Sequence, residues 1–149
     1  MALYQRILLA VDLTSDSLFI GQRALALATA TNGKLQIVHV VEPVPLVVPV
    51  PPEPVVPVMV TTQAELIETA QEQIGALARE LGVPQPHQHI VVGNTQSEII
   101  RVAADGGIDL IVIGNRGRHA LAFLIKPTED VVVHRAPCDV LAVRLAEPR

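Results

Sequence analysis

Two glycines, Gly114 and Gly117, follow the apolar run Asp109–Ile113, and nine residues later come Pro127 and Thr128. The run is nearly free of polarity, as in a strand buried on both faces. The glycines permit a sharp turn and close approach of backbone to a ligand. Pro127, Thr128, Glu129 and Asp130 have the make-up of a helix's first turn. A strand, a glycine turn and a helix start together offer backbone N–H groups to a phosphate. Asn115 lies in the same turn, and Arg116, Arg118 and Lys126 are cations able to face a phosphate or simply to remain solvated. Asp12, with Leu13 and Thr14 behind it, ends an earlier apolar run. Its carboxylate can accept hydrogen bonds from a ligand or cap the next helix or turn.

The remaining reactive side chains are less organised. His87 and His89 share one strand face without a nearby Cys, Asp or Glu, so no protein-ligated metal is expected. His39, His119 and His134 lack catalytic partners in the sequence, and no catalytic residue is assigned. Cys138, the single cysteine, cannot form an intrachain disulfide and reads as a small hydrophobe in a reducing compartment.

The elements that must position these groups alternate. Strands are expected at 6–11, 35–41, 87–92, from 109, and at 140–145. Helices are expected at 16–31, 62–81, 95–105 and 127–135. Asn32-Gly33 and Gly82 supply helix C-terminal chemistry. The run Val131–Val133 is β-branched and works against the last helix. Alternation of this kind implies a doubly wound parallel sheet with helices on both faces. A chain of 149 residues, half of them apolar, fits one domain over 1–149. The formal charge of −4 and scattered cations argue against nucleic acid as a partner. Prolines interrupt the longest apolar stretch, Leu46 to Val60, so no membrane insertion is expected. Cytoplasmic location follows as the expectation.

Several motifs in order, Arg6–Thr14, Gly93–Ile100, Gly114–Leu121 with Thr128, and His134–Arg144, resemble the universal stress protein family. The resemblance spans nearly the whole chain except 43–60. It implies five strands in the order 3-2-1-4-5, with ligands outside the C-terminal ends of strands 1 and 4. In nucleotide-binding relatives the aspartate matching Asp12 lies beside the nucleoside, and Val41 ends strand 2 near the adenine. ATP-binding members carry Gly, two residues, Gly, nine residues, then Gly and Ser or Thr. Gly114, Gly117 and Thr128 match, whereas Pro127 replaces the last glycine and Leu13 stands where many ATP binders have glycine. Proline lacks an N–H, and a bond from such a donor to a charged group contributes about 1.5–3 kcal/mol. The implied cofactor is ATP, ADP or AMP, with a triphosphate grip weakened roughly tenfold to a hundredfold.

Residues 43–60 form a Pro/Val-rich insertion that holds seven of the chain's twelve prolines and one charge, Glu53. Extended or polyproline structure is favoured, and a loop this apolar needs cover from the domain itself, a second subunit or a protein partner. The resemblance also implies a homodimer through the last strand, 140–145. The function expected is a non-enzymatic, dimeric nucleotide-binding stress protein that signals through protein contacts. The alternatives are a nucleotide-independent interaction module of the same fold and a weak ATP hydrolase.

Overall fold

The computed structural model describes residues 3–43, 62–115 and 128–145. Its elements run β1 (Arg6–Ala10), α1 (Ser17–Thr31), β2 (Lys34–Val41), α2 (Gln63–Leu81), a 3-10 turn (Gln85–His87), β3 (Gln88–Val92), α3 (Thr95–Asp105), β4 (Leu110–Asn115), α4 (Thr128–Arg135) and β5 (Asp139–Arg144). The five strands form one parallel sheet in the order β3-β2-β1-β4-β5. Fold class and strand order agree with the sequence reading, and element bounds differ by a residue or two at most ends.

Strand alternation divides the core. Ile7, Leu9 and Val11 pack with Ile20 and Ala24 of α1 and Ile74, Ala78 and Leu81 of α2. Leu8, Ala10, Val38 and Val40 point the other way, toward Ile99, Val102 and Ala103 of α3 and Val132 of α4. The β-branched run Val131–Val133 does form helix. Val132 is fully buried in the second cluster, and burial of an aliphatic side chain, worth about 1.5–3 kcal/mol, exceeds the few tenths lost to poor propensity. Glu129 and Asp130 in the first turn, with His134 and Arg135 in the last, further favour α4 through the helix dipole.

Two caps set the ends of α2. Thr62 Oγ1 accepts from the Glu65 N–H at 3.2 Å, and the Glu65 carboxylate accepts from the Thr62 N–H at 2.9 Å. Gly82, at φ 69°, closes the other end.

The sheet's N-terminal edge is tied by carboxylates. Asp109 accepts the backbone N–H groups of Gln5 and Arg6 at 2.8 and 3.0 Å, fixing the start of β4 beside the start of β1. The Tyr4 hydroxyl donates to Asp139 at 2.9 Å, linking β5 to the same edge, and that bond raises the tyrosine pKa. The polar strand β3 takes one outer position and β5 the other. On β5, Asp139, Leu141, Ala142 and Arg144 are exposed. Among the described residues no helix is long and apolar enough to cross a membrane.

Candidate functional site

The chain reverses its winding between β1 and β4, which pair directly: Ile7, Leu8 and Leu9 lie opposite Leu110, Ile111 and Val112. Asp12 follows the end of β1, and Asp12 Oδ1 accepts from both the N–H (3.2 Å) and the hydroxyl (2.8 Å) of Thr14. Thr14 in turn accepts the Ser17 N–H at 3.1 Å, leading the chain into α1. Between Asp12 and Thr14, Leu13 is held at φ 60°. That left-handed conformation costs a non-glycine residue about 1–2 kcal/mol, so the leucine that departs from the glycine of many relatives sits where glycine would carry no strain. The Ser17 hydroxyl, buried at the same turn, has no hydrogen-bond partner among the described residues.

A cavity of about 290 Å³ opens between the C-terminal ends of β1 and β2 and the first half of α2. Asp12, Leu13, Val40 and Val41 line its sheet side. From α2, Leu66 and Ala70 supply apolar surface, while Thr69 and Gln73 supply a polar rim. This i, i+3, i+4, i+7 stripe is the face that a helix lays over a sheet. His39 completes the wall, and its Nδ1 donates to the Val11 carbonyl at 2.8 Å. Glu42 stands at the mouth, where its carboxylate accepts from the N–H (3.2 Å) and hydroxyl (2.7 Å) of Thr95, the first residue of α3.

The backbone of β2 changes partner at each residue. The Val38 carbonyl accepts the Val11 N–H at 3.1 Å, on the β1 side, whereas the Val41 carbonyl accepts the Gly93 N–H at 3.0 Å, on the β3 side. In a parallel strand, residues two apart present their backbone groups to the same neighbour. Val40 therefore faces the β1 side beyond the end of β1, and Val41 faces β3.

Of the sequence-derived site residues, Asp12, Leu13 and Val41 meet at this cavity, and Thr14 braces the Asp12 turn. Gly114 and Asn115 end β4. A Cβ at Gly114 would come within 2.6 Å of Ile20 and 3.1 Å of Leu145 side-chain carbons, so the glycine also lets α1 pack on the sheet. Thr128 opens α4. Arg116, Gly117, Arg118, Lys126 and Pro127, with residues 44–60 of the insertion, lie outside the described residues. Among the described residues, no three His, Cys, Asp or Glu side chains group as metal ligands. Cys138 is half-buried, and burial ahead of the nearby Asp139 charge raises its pKa, which keeps it a thiol.

The sequence reading missed four contributions: His39, Val40, Glu42 and the α2 rim. The amphipathic stripe of α2 carried a signal for Thr69 and Gln73, because they flank Leu66 and Ala70 at helical spacing. Nothing comparable marked Glu42, whose partner is 53 residues away.

Residues 3–144 match the universal stress protein family. Universal stress protein A homolog 1 of Coxiella burnetii is 34% identical over 97% of this chain and 99% of its own length. A solved universal stress protein in complex with cAMP is 25% identical, covers 94% of this chain and 96% of its own, and superposes with a TM-score of 0.67. A universal stress protein family member from Arabidopsis thaliana, with AMP bound, superposes with a TM-score of 0.62 over 95% of this chain and 92% of its own. At 13% identity that last likeness concerns the fold alone.

Proposed function

The chain belongs to the universal stress protein family, and from that premise we propose that it binds an adenine nucleotide without turning it over, as a dimeric cytoplasmic stress protein. The observation that carries this reading is the cavity bounded by the C-terminal ends of β1 and β2 and the face of α2. Its size and apolar walls suit a nucleoside, and the cAMP-bound neighbour supports an adenine ligand. Asp12 would accept the ribose hydroxyls. The base edge would meet the backbone of Val40, whose groups face the β1 side, rather than that of Val41.

The phosphates would lie over Gly114, Asn115 and Gly117, toward the start of α4 at Thr128, with charge from Arg116, Arg118 and Lys126. Pro127 withholds one N–H donor there, so ATP gains less over ADP and AMP than in relatives with glycine at that position. No protein-ligated metal enters the proposal. The whole of 1–149 acts as one domain, and the 43–60 insertion serves as a contact for a protein partner. β5 supports the dimer: Leu141 and Ala142 are exposed on an outer strand, where an unpaired edge needs a partner or protection. Nucleotide occupancy would reach other proteins through these surfaces.

Calorimetry on protein stripped of nucleotide tests the reading. AMP and ADP should bind, Asp12→Ala should weaken AMP by roughly tenfold or more, and Pro127→Gly should strengthen ATP selectively. If no adenine nucleotide binds at millimolar concentration, the nucleotide-independent interaction module replaces this reading. Leu13 at φ 60° and Pro127 are the two features that favour that second reading.

A further inference from the structure

The polar groups around the cavity differ in how firmly their hydrogen-bonding sense is set. Thr69 and Gln73 can each donate or accept after a rotation. The Asp12 carboxylate holds Thr14, and Glu42 holds Thr95. His39 is different. Its Nδ1 lies 2.8 Å from the Val11 carbonyl oxygen, and because a carbonyl only accepts, Nδ1 must carry the proton. In the neutral ring Nε2 is then an acceptor and nothing else. His39 lines the cavity, and among the described residues no hydrogen bond to its Nε2 accompanies the one from Nδ1.

We infer that His39 is a specificity-determining residue: its Nε2 accepts the exocyclic amino group of a 6-aminopurine and disfavours a 6-oxopurine. The inference rests on the cavity's being the nucleoside site. An amino group is a donor and completes the bond. A 6-oxo group would set acceptor against acceptor and leave both without a proton, the kind of mismatch by which polar sites reject an analogue. The same ring is anchored to Val11, the residue before Asp12. The group that reads the base and the carboxylate proposed for the ribose are thereby fixed to one stretch of backbone. Discrimination thus comes from a side chain of β2 in addition to any backbone contact at Val40.

AMP and IMP differ both in the 6-amino or 6-oxo group and at N1, an acceptor in AMP and a protonated donor in IMP, so it is the change of their ratio between wild type and His39→Asn that reads the 6-position. Calorimetry at pH 8 on the stripped full-length protein should show AMP binding roughly tenfold or more tighter than IMP. In His39→Asn, whose amide nitrogen stands near the position of Nδ1 and can still reach Val11, the acceptor at Nε2 is gone. There the AMP-to-IMP ratio should fall toward that set by backbone contacts, by about tenfold. Nitrogen-15 NMR of the wild-type protein gives a second measurement that needs no variant. It should show Nδ1 protonated and the Nε2 resonance shifting upfield with AMP but not with IMP. AMP binding with an unchanged ratio in His39→Asn and no Nε2 response overturns the inference while leaving the site intact. Absence of AMP binding to the wild type overturns the nucleotide reading and the inference with it.

Discussion

The two ends of the sheet are built on different terms. At the N-terminal edge, Asp109 satisfies two backbone N–H groups of β1, Tyr4 bonds Asp139, and the strands start in close register. At the C-terminal edge, Leu13 is held in a left-handed conformation, the Ser17 hydroxyl is buried without a partner among the described residues, and a cavity of about 290 Å³ separates α2 from the strand ends. One edge contributes stability and the other gives some up. Local strain, unsatisfied polarity and open volume gather where a doubly wound sheet receives its ligands.

The largest effect that separates the two edges should come from Asp109→Ala. Two backbone N–H groups lose a charged acceptor, so the protein should lose about 2 kcal/mol of stability in urea denaturation, with AMP affinity unchanged in the folded protein. A loss of nucleotide affinity matching the loss of stability would show that the edges are not separable.

Leu13→Gly probes the opposite edge. Relief of the left-handed strain, about 1–2 kcal/mol, exceeds the conformational entropy cost of glycine, about 0.5–1 kcal/mol. The variant should therefore be more stable by about 0.5–1 kcal/mol, read as a higher denaturation midpoint. A destabilised variant would mean that leucine packing outweighs the backbone term.

The smallest effect concerns His89, which lies on neither edge. Its Nε2 donates to Gln36 at 2.8 Å, and burial, then the nearby charge of His87, lower its pKa. The folded state thus binds this proton less readily than the unfolded chain. Stability tied to it is complete above the unfolded pKa of about 6.5 and declines as pH falls from there toward the lower folded value. His89→Gln should flatten the loss of stability between about pH 7 and pH 5, measured by urea midpoints across that range. An unchanged slope would assign the acid sensitivity to other groups.

The fold was legible because its signals are local. Unbroken apolar runs marked β1 and β4 as interior strands, polar residues marked β3 for an outer position, and Gly82 marked the end of α2. The helix expected at 127–135 forms despite the β-branched run Val131–Val133 that counts against it. The lining of the cavity was legible only where it lies at the end of an apolar run, as at Asp12 and Val41. Sequence periodicity tells which face a side chain takes, but the direction of backbone groups depends on register. Opposing Val38 to Val11 turns Val40, not Val41, toward the β1 side. The His39–Val11 and Glu42–Thr95 bonds join residues 28 and 53 positions apart, which no local pattern encodes.

Titration of isotope-labelled, nucleotide-free protein with AMP, followed by backbone amide NMR, reports on both edges of the sheet at once. Saturable shifts are expected at Asp12, Leu13, His39, Val40 and the α2 residues Thr69 and Gln73, with the amides of Gln5, Arg6 and Asp109 unmoved. Shifts confined to the N-terminal edge, or none at millimolar AMP, would contradict the proposed nucleotide site.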